Sequence, residues 1–214
     1  MKIYDISLPI TPSMPVWPGD PPTELEYISA ISDGEHANVT FLHLCAHTGT
    51  HIDAPKHFID NGKTIEQIPL DKLIGETLVL HIAEEIEVIN ASVLKAHPLQ
   101  AQLLKAKKVL FRTRNSSLWS AFPNSFIEDY VGIDASGAAY LAALGMNLIG
   151  VDYLSVAPYK ATYEPHHILL SQEIVLLEGI NLSEVPQGTY QMFCLPLKIS
   201  GSDGAPARAI LIGS

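Results

Sequence analysis

Cysteine is scarce in this sequence: 214 residues contain two, Cys45 and Cys194. A pair so far apart in a chain of this size builds no disulfide framework, so stability must come from an apolar core. Both read as small buried hydrophobes, although Cys45 stands two positions before His47, where a thiolate ligand is the other reading. Positive charge is sparse too. Thirteen lysines and arginines against 23 acids leave a net charge of -10. That balance excludes a nucleic-acid partner, which needs a basic face, and argues against an anionic membrane surface. Carboxylates bound to divalent cations would make part of this negative charge merely formal. The most apolar stretch, Ala138 to Ala157, is broken by Asn147 and Asp152 and carries two glycines. It reads as a helix followed by a strand, not a membrane span. Met1 to Ser7 lacks an apolar segment behind a basic one, so no export signal is read and the cytoplasm is the expected location. Repeats and low-complexity tracts are missing, and one domain over residues 1–214 is expected.

What is present suits a compact fold: 47% of residues are hydrophobic and 17% charged. Alternating patterns predict strands at Ile3 to Leu8, Glu24 to Ile31, Ala37 to Leu44, Thr77 to Ile82 and Glu85 to Ile89. The proline-rich segment from Pro9 to Pro22 must be a long loop, and such loops often carry function. Asn90 is placed to cap a short helix through Ala96, with Pro98 breaking it before Leu99 to Lys105. Lys108 to Thr113 is a β-branched and aromatic strand. Asp134 caps a helix through Leu144 that Gly145 ends, and Asn147 to Val151 follows as a buried strand. This order predicts a βαβ crossover. Further strands are expected at Ile174 to Leu177, Tyr190 to Ile199 and Ala207 to Ile212. The fold class is α/β with a mixed sheet.

Histidines concentrate in one place. Of nine in the chain, three fall between His47 and His57, together with Asp53. The run His47-x3-His51-x-Asp53 combines neutral imidazoles with a carboxylate, the donors that borderline divalent metals prefer. Gly49 permits a tight turn and Pro55 stiffens the exit, so these side chains can converge. A single histidine is more often a satisfied core or surface residue, but here residue types and close spacing coincide. The run is not the His-Glu-x-x-His helix of zincins, because His47 and His51 enclose Thr-Gly-Thr. No Gly-x-Ser-x-Gly elbow and no glycine-rich phosphate loop occurs. Three ligands leave open positions for water, as a catalytic metal requires. His166, with His167 beside it, and Glu178 form a second candidate group. Glu178 is either an exposed charge at a strand end or a buried acid that needs a counter-ion.

With these residues the chain resembles the cyclase family of metal-dependent hydrolases, which includes bacterial kynurenine formamidases. The signature His-x-Gly-Thr-His-x-Asp-Ala-Pro-x-His stands intact from His47 to His57. The likeness spans nearly the whole chain. It runs from Asp5-Ile6-Ser7 through Val16-Trp17-Pro18-Gly19-Asp20-Pro21, Arg112-Thr113 and Ile149-Gly150-Val151-Asp152 to Leu195-Pro196-Leu197-Lys198 and Ala205-Pro206-Ala207-Arg208. The resemblance implies a swivelling β/α/β-type fold, a homodimer or higher homo-oligomer, and two divalent ions per chain, Zn2+ or Mn2+. It implies that His47, His51 and Asp53 hold one ion, with Asp53 bridging to a second held by His166 and Glu178. It gives His57 the proton transfer and Trp17 a contact with an aromatic substrate. One departure concerns Ser155-Val156-Ala157-Pro158, which lacks the carboxylate of the formamidase pattern Ser-x-Asp-Pro. The residues from Tyr159 to Pro165 differ as well. Both departures bear on substrate and leave the metal motif untouched.

The expected activity is therefore hydrolysis of a small-molecule amide C–N bond by metal-activated water. An aryl formamide such as N-formylkynurenine is the first substrate, and a cyclic amide or lactone, as in isatin hydrolases, the alternative. More distant readings are a mononuclear iron oxygenase built on His51, Asp53 and a remote histidine, or a metal-binding protein without catalysis. The oxygenase would leave His47 and Glu178 surplus, and a non-catalytic site would not need His57.

Overall fold

The computed structural model describes residues 1–213. Twelve strands follow one another along the described chain: β1 (Lys2–Asp5), β2 (Glu24–Ser29), β3 (Val39–His43), β4 (His51–Asp53), β5 (Ile74–His81), β6 (Val88–Ile89), β7 (Lys108–Arg112), β8 (Gly132–Ile133), β9 (Leu148–Val151), β10 (Val175–Glu178), β11 (Gly188–Pro196) and β12 (Gly204–Gly213). Between them lie helices α1 (Leu70–Leu73), α2 (Ala91–Ala96), α3 (Gln100–Leu103), α4 (Leu118–Ala121), α5 (Ala135–Ala143) and α6 (Tyr163–Ser171). The main sheet runs β1-β12-β11-β5-β7-β9-β10-β4, and β4 pairs again with β12. Seven strands therefore close into a barrel-like ring with β1 appended outside it. Strands β5, β7, β9 and β10 are mutually parallel, and the remaining pairs of the ring are antiparallel.

The expected mixed α/β class and the βαβ crossover are both present, with β7 and β9 parallel and α5 between them. The two predicted caps act as such: the Asn90 side chain accepts the Val93 N–H at 2.9 Å, and Asp134 accepts the Gly137 N–H at 2.8 Å. Other expectations need correction. The strand expected at Ile3 to Leu8 ends at Asp5, because Ser7 turns off to bridge Ile180. Only Val88–Ile89 of the stretch from Glu85 is a strand. Helix α6 has no counterpart among the elements expected from the sequence, and it carries Pro165 in its first turn. A proline in the first turn costs no hydrogen bond, because that turn's N–H groups have no helical partner.

Side-chain alternation sorts the core into two layers. Val79, Leu110, Val175, Leu177, Met192 and Cys194 join Ile52 in one buried cluster inside the ring. Leu80, Val109, Phe111, Ile149, Val151 and Leu176 point the other way and pack under the helices with Leu141 and Leu169. Strand β4 obeys the same rule. Ile52 enters the interior cluster, which leaves His51 and Asp53 on the helix-covered side.

Candidate metal centre

Register assembles the site. His51 lies opposite Glu178 on β10, and Asp53 lies two residues along the same face of β4. The backbone of the loop before β4 comes unusually close to the end of β10. A Cβ on Gly179 would sit 2.0 Å from the carbonyl oxygen of Gly49, and both residues have positive φ, 65° each. Only glycine allows this approach, which seats the His47–Thr50 turn against the strand carrying Glu178. Helix α6 then brings His166 in from above, its ring stacked on Phe58 with centroids 4.5 Å apart.

Every expected site residue is drawn to this place. His51, Asp53, His166 and Glu178 are buried, at 1%, 0%, 3% and 4% exposure, so Glu178 is a buried acid and not an exposed strand end. His47 and His57 are half-buried. His51 Nε2 lies 3.4 Å from Asp53 Oδ1 and 3.3 Å from Glu178 Oε2. His166 Nε2 lies 3.2 Å from Glu178 Oε1 and 3.8 Å from Asp53 Oδ2, and His47 Nδ1 lies 2.8 Å from Asp53 Oδ1. Glu178 Oε1 also accepts the Val156 N–H at 2.6 Å.

Hydrogen-bond roles decide what this cluster can hold. His51 Nδ1 donates to the Gly49 carbonyl at 2.9 Å, and His166 Nδ1 donates to the Thr162 carbonyl at 2.7 Å. Carbonyls only accept, so each ring carries its hydrogen there and, when neutral, turns a bare Nε2 toward the carboxylates. A lone pair facing an anionic oxygen is repulsive unless a proton or a cation stands between them. Two buried atoms at the centre, His51 Nε2 and Asp53 Oδ2, make no hydrogen bond among the described residues. The donor chemistry and these orphaned atoms fit a divalent cation.

Without a cation, protons take its place. Burial opposes charge on His47, but Asp53 and Asp203 outweigh it and raise its pKa to about 11. Burial likewise opposes charge on His51, yet Asp53 and Glu178 raise it to about 9. For Asp53, burial acts upward while His57 and His47 hold it well below the usual carboxylate range. The cluster is a set of ion pairs, in which the protons occupy positions suited to metal.

The donor atoms form two overlapping sets. Those of His47, Asp53 and His57 lie within 4.8 Å of one another, and so do those of His51, Asp53 and Glu178. Asp53 belongs to both. His47 Nδ1 and His51 Nε2 both approach the same oxygen, Asp53 Oδ1, at 2.8 and 3.4 Å, and His57 also comes within reach of His47 and Asp53. Cys45 is half-exposed and belongs to neither set, and His167 points outward, stacked on Tyr163.

A cavity of about 240 Å³ opens over the cluster, lined among others by Trp17, Asp20, Phe58, Leu154, Ser155 and Thr162. Trp17 comes from the long proline-rich loop and packs edge-on against Phe126 at 5.3 Å and tilted on Tyr159 at 5.4 Å. An apolar aromatic wall thus faces the polar cluster. Sequence reasoning missed Asp203, which lies among the site residues and accepts hydrogen bonds from His47 Nε2 at 3.0 Å and His57 Nδ1 at 2.9 Å. Its surroundings, Gly201-Ser202-Asp203-Gly204, read as an ordinary turn, and no spacing ties it to the histidine motif.

The chain is similar to known proteins along nearly its whole length. The Cyclase family model matches residues 4–158. Cyclase-like protein 1 of Arabidopsis thaliana is 36% identical, over 99% of this chain and 85% of its own length. A kynurenine formamidase of Salinibacter ruber is also 36% identical, covering 99% of this chain and 97% of its own. A solved potential metal-dependent hydrolase with cyclase activity superposes with a TM-score of 0.81 at 31% identity, covering 98% of this chain and 96% of that one.

Proposed function

The chain belongs to the Cyclase family, and from that premise we propose that it is a metal-dependent amidohydrolase acting on an aryl formamide, with N-formylkynurenine as the reference substrate. One observation carries the reading: imidazoles locked by their far N–H groups turn their Nε2 atoms, bare in the neutral rings, at two buried carboxylates. His47, His51, Asp53, His166 and Glu178 would hold two divalent ions, Zn2+ or Mn2+. Such ions, when bound, lower the pKa of a water molecule and polarise the scissile carbonyl.

The chain's own residues supply the rest. His57 sits at the cavity edge with Nδ1–H on Asp203, so its Nε2 is the free acceptor. It takes the proton of the attacking water and returns it to the leaving nitrogen as the C–N bond breaks, giving formate and an aryl amine. Trp17 packs against the aryl ring and, with Phe58 and Leu154, excludes bulk water. Outside the cluster, Asp20 is the one charged side chain among the described residues lining the cavity. The recognised part of the substrate is therefore its neutral ring and amide.

A homodimer is part of the proposal. Among the described residues the β2–β3 hairpin pairs with no other strand and leaves Tyr27, Ile28, Phe41 and Leu42 at 69%, 60%, 48% and 54% exposure. A second copy is the partner that would cover such an arm. No helix of the described residues is long and apolar enough to cross a membrane, and the cytoplasm is the proposed location.

The test is turnover of N-formylkynurenine, read by formate release, after chelation and reloading with Zn2+ or Mn2+, with isatin in parallel. Chelation should abolish activity, either ion should restore it, and metal analysis should count two ions per chain. Full activity in a metal-free preparation would refute the proposal. Faster turnover of isatin would move the substrate to cyclic amides. His57→Ala should lose turnover and keep its metal; loss of both would make His57 a ligand.

A further inference from the structure

We propose that Asp203 is a positioning residue that sets two rings at once, the metal-ligand histidine His47 and the proton carrier His57. This rests on the metal-dependent reading above. A single oxygen, Asp203 Oδ2, receives His47 Nε2 at 3.0 Å and His57 Nδ1 at 2.9 Å. The two rings lie one over the other, with centroids 4.0 Å apart and planes inclined by 31°. An ionised carboxylate oxygen accepts hydrogen bonds and never donates them. Both rings must therefore carry a hydrogen on the nitrogen that faces it. When neutral, each presents its other nitrogen bare: His47 Nδ1 toward Asp53, and Nε2 of His57, whose ring lines the cavity.

The other two imidazoles show what is special here. His51 and His166 have their hydrogens fixed by backbone carbonyls, those of Gly49 and Thr162. A carbonyl belongs to the fold and is fixed with it. His47 and His57 share an anionic acceptor instead, which both orients a ring and makes it a stronger base. The ligand and the proton carrier are thereby tied to one another through Asp203.

The Asp203 side chain is not needed to build its own loop. Its backbone carbonyl accepts the Ala54 N–H at 2.9 Å, and the carbonyl of Ser202 accepts the Ile65 N–H at 2.9 Å. Gly204 lies opposite Asp53 in the ladder, where any Cβ would press within 2.8 Å of the His47 ring. These contacts survive any substitution of the Asp203 side chain. The carboxylate itself is 39% exposed, so its loss leaves no buried vacancy.

Asp203→Asn and Asp203→Ala, each in the full chain, test the inference by three readouts. Zinc affinity, from competition with a chromophoric chelator, should weaken by about 10–100-fold. Turnover of N-formylkynurenine should lose roughly 100-fold in kcat with KM nearly unchanged, because the proton carrier is misaligned while the aromatic wall is intact. In 15N NMR of the zinc-loaded chain, His57 should hold its hydrogen on Nδ1 in the wild type and shift toward the Nε2–H form in Asp203→Ala. Asp203→Glu should recover part of both losses by restoring an anionic acceptor. Wild-type zinc affinity, kcat and His57 tautomer in Asp203→Ala would overturn the inference. A wild-type chain that binds no zinc and hydrolyses nothing would instead overturn the metal-dependent reading. The His57 tautomer, read on the metal-free chain, would still report on the Asp203 contact separately.

Discussion

Two aspartates, Asp53 and Asp152, are each completely buried, at 0% exposure, and their surroundings could hardly differ more. Asp152, just past the end of β9, accepts the backbone N–H and side-chain hydroxyl of Thr113, both at 2.8 Å. It also accepts the backbone N–H and hydroxyl of Ser116, at 3.0 and 2.7 Å. These four donors serve the chain alone and knit the loop after β7 to the next parallel strand. Asp53 instead faces His47, His51 and His166, and its Oδ2 makes no hydrogen bond among the described residues. A buried acid whose needs are all met by its own fold is architectural. A buried acid left partly unmet, beside imidazoles whose free nitrogens point at it, is arranged for a guest.

The largest test of this contrast is Asp53→Asn. Turnover should fall by roughly 10³-fold, the scale of losing a preorganised electrostatic stabiliser, and metal content should drop with it. The metal-free variant should still fold cooperatively by circular dichroism. Asp152→Ala should do the reverse, destabilising the protein by about 3–5 kcal/mol in urea titration by leaving four buried donors unpaired. Protein that remains folded should bind as much added zinc as the unsubstituted chain. Equal effects of both substitutions on zinc binding would dissolve the distinction.

Acidity separates the two regions more gently. Burial raises Asp152 from 3.8 to about 6, against the hydrogen bonds that lower it. An acid raised on folding contributes stability that is whole below pH 3.8 and gone above about pH 6. His47 and His51 are raised from 6.5 to about 11 and about 9. Their contribution is whole below pH 6.5 and lost as pH rises through those values. Chelated protein should therefore lose stability steadily as pH rises from 6.5 to 9 in thermal or urea unfolding. Zinc-loaded protein should not, because the ion replaces the protons and binds better as they leave. A flat profile in the chelated form across that range would mean that the imidazoles are not charged there.

Much of this arrangement can be read before any coordinates. Strands such as Lys108–Arg112 and Leu148–Val151 announce themselves by dense β-branched and aromatic residues, and the caps Asn90 and Asp134 by position. The histidine motif is legible because its members lie within eleven residues, from His47 to His57. Glu178 carries a weaker signal, an acid closing the apolar strand Val175–Glu178. Asp203 carries none, since its partners stand 156 and 146 positions away. The closure of the ring was equally hidden. A strand of three residues, His51–Asp53, gives too short a pattern to reveal pairing on both of its edges.

That short strand has a consequence for the life of the molecule. His51–Asp53 clasps segments near the far end of the chain, Leu176–Glu178 on one side and Gly204–Pro206 on the other. The ring is thus fastened by its weakest member, at the very spot where a cation would be gripped. Emptied of metal, the clasp is where fraying should begin, offering the Ser200–Asp203 turn and the histidine loop to proteases. Loaded, it is bolted shut by mass action. Cellular abundance of this protein would then follow the supply of its cation, with starvation clearing the idle copies by degradation.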